Sequence, residues 1–154
     1  MVELYCLDTS VLIESWCNLY RPASFPSFWK KLEDAIEQGS FVAPELVLYE
    51  LERKEDEIFK WAKQRPVLFA PLHTELQNAH EKIINDFPRL IDQAKFRSMC
   101  DPWVIALAQL RQCSVVTQED HGSDTKPKIP DVCRKLSIRC IKVADLIQTM
   151  RWVF

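Results

Sequence analysis

The sequence predicts an α/β fold in which a parallel sheet carries helices on both faces. Short apolar runs bounded by turn residues alternate with longer amphipathic stretches of helical period. Strands separated in this way by helices favour parallel pairing, because a tight turn joins only antiparallel strands. The 154 residues fit a single domain, predicted over residues 1–154, and the 47% of hydrophobic residues suffice for its core.

Short apolar runs mark the strands. The first, Val2–Leu7, ends at Asp8, as expected of a buried strand entering a turn. The segment Val67–Pro71 fits either a loop or a short extended piece. The other predicted strands are Phe41–Ala43, Ser114–Thr117 and Ile138–Val143.

Amphipathic stretches mark the helices. The clearest begins at Ser27 and is followed by Gly39, where a C-cap glycine belongs. Pro44 is expected in the first turn of a helix, and Asp101 with Pro102 starts the most apolar helix. The helices are predicted near residues 9–16, 27–37, 46–51, 58–62, 72–96 with a break at Pro88, 103–110, 130–136 and 145–150.

Composition excludes several classes of protein. Only two glycines occur, far apart, so neither a P-loop nor a dinucleotide-binding fingerprint is present. A net charge of -2 argues against a module that merely coats nucleic acid. The six cysteines lack the spacing of a zinc knuckle, so we expect free, mostly buried thiols. With no apolar run long enough for a membrane helix and no basic N-terminal signal, a cytoplasmic protein without membrane contact is expected.

Acidic residues carry the functional signal. Asp8 and Glu119 follow strands, Asp101 lies at a helix start, and Glu50 lies on an early helix. Each has an ordinary alternative, as a helix cap or a solvent-facing charge. Because ligands bind at the carboxyl ends of parallel strands, the four could also converge there. Converging carboxylates need a hard cation such as Mg²⁺ or Mn²⁺, which suits phosphodiester hydrolysis. A phosphotransferase Asp-x-Asp motif is excluded, because Ser10 occupies the second acidic position.

Four segments together resemble the ordered motifs of PIN domains. They are Asp8–Leu12, Val47–Leu51, Asp101–Ala108 and Val115–Glu119. The stretch Lys128–Cys133, with Phe25–Trp29, is similar to a prokaryotic PIN subfamily of little-characterised function. The resemblance implies a three-layer α/β/α sandwich with a central parallel sheet and a metal-dependent ribonuclease. Many PIN proteins are VapC-like toxins, paired with an antitoxin and often dimeric.

The fourth acid departs from the usual PIN pattern. Most PIN domains carry Asp two residues after the Thr, where this chain has Glu119. In an extended chain Glu119 points to the same side as Thr117, whereas Asp120 points away. Asp124 and Asp131 remain open alternatives for the fourth position.

The surrounding residues receive supporting roles in this interpretation. Thr9, Ser10 and Thr117 are expected to orient the carboxylates or water, and Lys126 and Lys128 to contact phosphate. The sequence thus favours an endoribonuclease with a four-carboxylate Mg²⁺ or Mn²⁺ site, Asp8, Glu50, Asp101 and Glu119. Two alternatives are a DNA nuclease with the same site and a PIN-like binding module without catalysis.

Overall fold

A computed structural model describes residues 3–91 and 99–154. It confirms the predicted α/β class, a three-layer α/β/α sandwich around a five-stranded parallel sheet of order β3-β2-β1-β4-β5. The strands are β1 Tyr5–Leu7, β2 Phe41–Pro44, β3 Phe69–Ala70, β4 Ser114–Val116 and β5 Cys140–Ile141. The helices are α1 Thr9–Glu14, α2 Pro26–Glu37, α3 Glu45–Lys54, α4 Asp56–Lys63, α5 Thr74–Asp86, α6 Asp101–Arg111, α7 Ile129–Lys135 and α8 Val143–Thr149.

Several predicted boundaries change. Pro44 is the last residue of β2 rather than part of a helical turn, because its extended backbone (φ -66°, ψ 148°) continues the strand. The segment 67–71 contains the edge strand β3, which pairs with the end of β2. The strand predicted over 138–143 contracts to β5, since Val143 already begins α8. Val2 of the first predicted strand and residues 92–96 of the predicted 72–96 helical region lie outside the described residues.

The core lies on the two faces of the sheet. Every residue of the central strand β1 is fully buried, and α6 packs against β1, β2 and β4 through an unbroken buried run, Val104–Ala108. This run is apolar all round, which suits a helix enclosed by the sheet and α5. An aromatic cluster of Trp16, Trp29 and Trp61, with ring centroids 4.9–6.4 Å apart, joins α2, α4 and the π-helical turn Ser15–Leu19.

Two further predictions concern helix ends and membranes. Gly39 follows α2 with φ +83°, a left-handed conformation that favours glycine. Within the described part of the chain, no helix is both long and apolar enough to cross a membrane.

Candidate metal centre

The strand order reverses between β1 and β4, and this reversal positions the candidate site. From β1 the sheet grows through β2 to β3 on one side, and through β4 to β5 on the other. Leu7 is paired with Val116, and the Asp8 N–H donates to the Val116 carbonyl at 3.0 Å. Asp8 and Thr117 therefore lie side by side at the carboxyl ends of adjacent strands, where parallel sheets bind ligands.

Hydroxyl groups hold the Asp8 carboxylate. Asp8 Oδ2 accepts hydrogen bonds from Ser10 Oγ at 2.6 Å and Thr117 Oγ1 at 2.8 Å, and these two hydroxyls lie 3.2 Å apart. Although Asp8 precedes α1, its side chain does not cap that helix. Burial raises the pKa of Asp8 and the nearby Glu50 charge adds to the rise, while the two hydroxyls oppose it. The Asp8 side chain is thus held by Ser10 and Thr117 and not by the N-terminus of its own helix.

Glu50 reaches the same region from α3. Its Oε2 accepts from Thr9 Oγ1 at 3.4 Å, and its Oε1 forms an ion pair with Lys54 Nζ at 2.8 Å. Burial opposes the charge on Glu50, but hydrogen bonds from Cys100, Lys54 and Thr9 outweigh it and lower the pKa. Because its pKa is lowered, Glu50 is ionised at neutral pH.

Asp101 enters from the start of α6. Cys100 occupies the N-cap position, so Asp101 is the first helical residue and not the cap that its place before Pro102 suggests. Asp101 is buried, and a carboxylate in the first turn of a helix is favoured by the helix dipole. Burial, with the charge of nearby Glu50, raises the pKa of the Cys100 thiol far above its usual range.

Glu119 follows β4 and turns back toward Asp8. Its N–H donates to Thr117 Oγ1 at 3.1 Å, and its Oε2 accepts from the Ile129 N–H at 3.2 Å. Burial, followed by repulsion from Asp8, raises the pKa of Glu119 from 4.5 to about 7. Thr117 therefore contacts both the Asp8 side chain and the Glu119 backbone, and it joins the two acids.

The four predicted acids line one open cavity of about 600 Å³. Among the described residues, this lining carries five carboxylates and two cations, an excess of negative charge. The lining residues are Asp8, Thr9, Ser10, Ile13, Glu14, Glu50, Arg53, Lys54, Met99, Asp101 and Glu119. The sequence interpretation did not include Glu14, Arg53 and Lys54, although helical spacing from Ser10 and Glu50 places them on the same helix faces.

The donor set matches a hard divalent cation in its chemistry. Carboxylate and hydroxyl oxygens are ligands that Mg²⁺ and Mn²⁺ prefer. A cation would relieve the repulsion that adds to the effect of burial in raising the pKa values of Asp8 and Glu119. Over residues 3–91 and 99–154, no three His, Cys, Asp or Glu side chains are already arranged to hold a metal ion. The acids share a cavity without forming a closed coordination shell.

The other candidates for the fourth acid lie apart from this cavity lining. Asp120 is exposed and pairs with Lys142, whose hydrogen bond lowers the Asp120 pKa. Asp131 binds the loop before α7, accepting from the Gly122 N–H at 2.6 Å, the Lys128 N–H at 2.8 Å and His121. Burial alone would raise the pKa of Asp131, but these hydrogen bonds lower it to about 2. Asp124 is exposed in the same loop.

The two lysines predicted to contact phosphate are exposed and are not among the cavity-lining residues. The positive charge of Lys128 nevertheless acts on the site, because it opposes part of the rise in the pKa of Glu119. Lys126 takes part in a turn with Ser123, where each N–H donates to the other's carbonyl at 3.2 Å. The cations that line the described part of the cavity are Arg53 and Lys54, both on α3.

All six cysteines are free thiols, as the sequence predicts, but only half of them are buried. The buried ones are Cys6, Cys100 and Cys133, while Cys17, Cys113 and Cys140 are partly exposed.

In comparison with known proteins, no curated protein matches the chain in sequence. One family model matches residues 5–154, nearly the whole chain. The protein therefore belongs to the family described as a domain of unknown function, DUF4411.

Proposed function

We propose that this protein is a divalent-metal-dependent nuclease that hydrolyses RNA phosphodiesters. The observation that carries the proposal is the convergence of four carboxylates from four separate segments on one cavity at the strand-order reversal. A protein would not gain stability from placing these acids together, because their repulsion opposes folding unless a cation binds. The resemblance of the same four positions to PIN-domain motifs supports the nuclease assignment.

Each side chain has a defined part in this proposal. Asp8, Glu50, Asp101 and Glu119 would hold Mg²⁺ or Mn²⁺, which supplies a Lewis acid and an activated water when bound. Ser10 and Thr117 keep Asp8 Oδ2 in place by donating to it, which leaves fewer conformations to be lost when a ligand binds. Thr9 does the same for Glu50.

The finer parts of the proposal come from the PIN resemblance. They are a toxin role with a cognate antitoxin and a homodimeric state. The proposed cytoplasmic location rests instead on the six free thiols, because a reducing compartment keeps thiols reduced. RNA is the proposed substrate, but carboxylate-bound metal acts on the phosphate and does not distinguish the sugars. Single-stranded RNA and DNA of one sequence must therefore be compared.

The test measures Mn²⁺ binding by calorimetry and cleavage of fluorescently labelled oligonucleotides in Mg²⁺ or Mn²⁺. We expect Asp8→Asn, Glu50→Gln and Asp101→Asn each to abolish cleavage and weaken Mn²⁺ binding while the protein stays folded. Asp34→Asn is the matched control, because Asp34 is an exposed acid that pairs with Lys30 on α2. This variant should cleave normally.

Three outcomes contradict the proposal in different ways. A folded wild-type protein that binds no Mn²⁺ and cleaves neither oligonucleotide would instead support a binding module without catalysis. Cleavage of DNA alone would change the substrate. Near-normal cleavage by one of the three variants would remove that residue from the site.

A further inference from the structure

Glu50 already has a cationic partner on its own helix. Lys54 lies one turn after Glu50 on α3, and its Nζ is 2.8 Å from Glu50 Oε1. Asp8 accepts from neutral hydroxyls, and Glu119 accepts from a backbone N–H. Glu50 Oε2 is contacted by Thr9, so both Glu50 oxygens have donors.

The exposure of this ion pair distinguishes it from ordinary helix-surface pairs. The Glu50 side chain is only 17% exposed, while the Lys54 side chain is 56% exposed. In the pair Lys60–Glu57 both side chains are about two-thirds exposed. The Lys54 pair therefore has its anionic end inside the cavity and its cationic end at the cavity wall, where both residues belong to the lining.

A cation that coordinates Glu50 must compete with this ammonium group. Metal coordination through Oε1 requires the Lys54 Nζ to withdraw. The apparent metal affinity is therefore the intrinsic affinity multiplied by the fraction of protein in which Glu50 is not paired with Lys54. The positive charge of Lys54 also lowers the affinity of the cavity for any divalent cation. Both effects of Lys54 weaken metal binding.

We propose that Lys54 is an internal counter-cation of Glu50 that a divalent metal must displace, so that Lys54 sets the metal affinity of the site. The inference rests on the proposed function, because it concerns the same metal site. Lys54 acts through Glu50 and is a positioning residue. In the metal-free protein it keeps Glu50 ionised and held at the cavity wall.

Arg53 provides a matched control. It lies next to Lys54 in sequence, lines the same cavity and carries the same charge. Within the described residues it forms no ion pair with Glu50 or another acid. Arg53→Met therefore removes an equal charge from the cavity without freeing a carboxylate.

The experiment is a titration of the full chain with Mn²⁺, followed by the electron paramagnetic resonance signal of free Mn²⁺ at low ionic strength. We expect Lys54→Met to bind Mn²⁺ about three- to tenfold more tightly than wild type, and Arg53→Met to gain clearly less. Lys54→Gln should repeat the gain. Circular dichroism checks that each variant is folded, which the exposure of Lys54 favours.

Unchanged or weaker Mn²⁺ binding by both neutral Lys54 variants would overturn the inference while leaving the metal site intact. An equal gain for Arg53→Met would also overturn it, because the effect would then be one of general charge. If the wild type and all variants bind no Mn²⁺, the proposed function fails, and this inference fails with it.

Discussion

Replacing Glu119 by Gln should stabilise the metal-free protein at alkaline pH and change little at acidic pH. Burial and the Asp8 charge raise the pKa of Glu119 from 4.5 to about 7. The folded protein thus binds this proton more tightly than the unfolded chain does. Stability is lost as the pH rises from about 4.5 to about 7, and it stays reduced above that range. A neutral amide removes the penalty while keeping an oxygen that can accept from the Ile129 N–H.

The size of the effect follows from the same interval. At about 1.4 kcal/mol per pKa unit, the rise from 4.5 to about 7 corresponds to an upper limit of about 3 kcal/mol. Solvent at the open cavity screens part of the repulsion, so we expect about 1–3 kcal/mol at pH 8. For a chain of this length that corresponds to roughly 3–10 °C in Tm.

The assay is thermal unfolding followed by circular dichroism between pH 4 and 8.5, with chelator and then with Mn²⁺. Asp120→Asn is the control, because Asp120 is exposed and its pKa is lowered by Lys142, so this change should not stabilise the protein at pH 8. Mn²⁺ should raise the Tm of wild type more than that of Glu119→Gln, because the variant has lost an anionic ligand. A Tm difference that does not vary with pH, or a variant less stable than wild type at pH 8, would refute the reasoning.

Three further predictions test the surrounding structure. Thr117→Val should lower the free energy of unfolding, measured in urea, by about 1–3 kcal/mol, because the variant lacks the buried hydroxyl that donates to Asp8 and accepts from the Glu119 N–H. The control Thr125→Val, at an exposed position, should change this free energy little. Asp131→Asn should destabilise the protein by about 1–2 kcal/mol at pH 7, because the Asp131 carboxylate accepts two backbone hydrogen bonds. This stability difference from wild type should disappear as the pH falls through 3.8 toward about 2. Equal stability of Asp131→Asn and Asp124→Asn at pH 7 would contradict the prediction. Alkylation of protein denatured without reductant, after purification in reductant, should label all six thiols by mass, whereas a stoichiometric disulfide would contradict the free-thiol assignment.

Local pattern was sufficient to predict most of the elements. The periodicity of the segment after Ser27 and the glycine that follows it gave α2 nearly to the residue, because both are properties of a helix and its cap. The apolar run before Asp8 predicts that this acid lies at the end of a strand. The alternation of side chains in an extended segment predicts that Glu119 and Asp120 point to opposite sides. The observed placements agree with that alternation, with Glu119 at the cavity and Asp120 exposed.

The sequence left open what depends on a distant partner. The segment 67–71 fits either a loop or a short extended piece, and residues 69–70 become a strand by pairing with the end of β2. The carboxylate of Asp131, an open alternative for the fourth acid, instead accepts a hydrogen bond from the Gly122 N–H, nine residues earlier in the chain. The contact between Thr117 and Asp8 joins residues 109 positions apart.

The sequence by itself thus determined the α/β class and the order of most elements, because these depend on local periodicity. It indicated the four acids as candidates through strand ends, helix positions and the PIN resemblance. Only the tertiary structure decided the strand order, and with it which side chains share the cavity at the reversal between β1 and β4. It also decided that Lys54 pairs with the cavity's Glu50 and that the pKa of Glu119 rises. Burial and the distances between charges depend on how separate segments pack, and no local pattern encodes them.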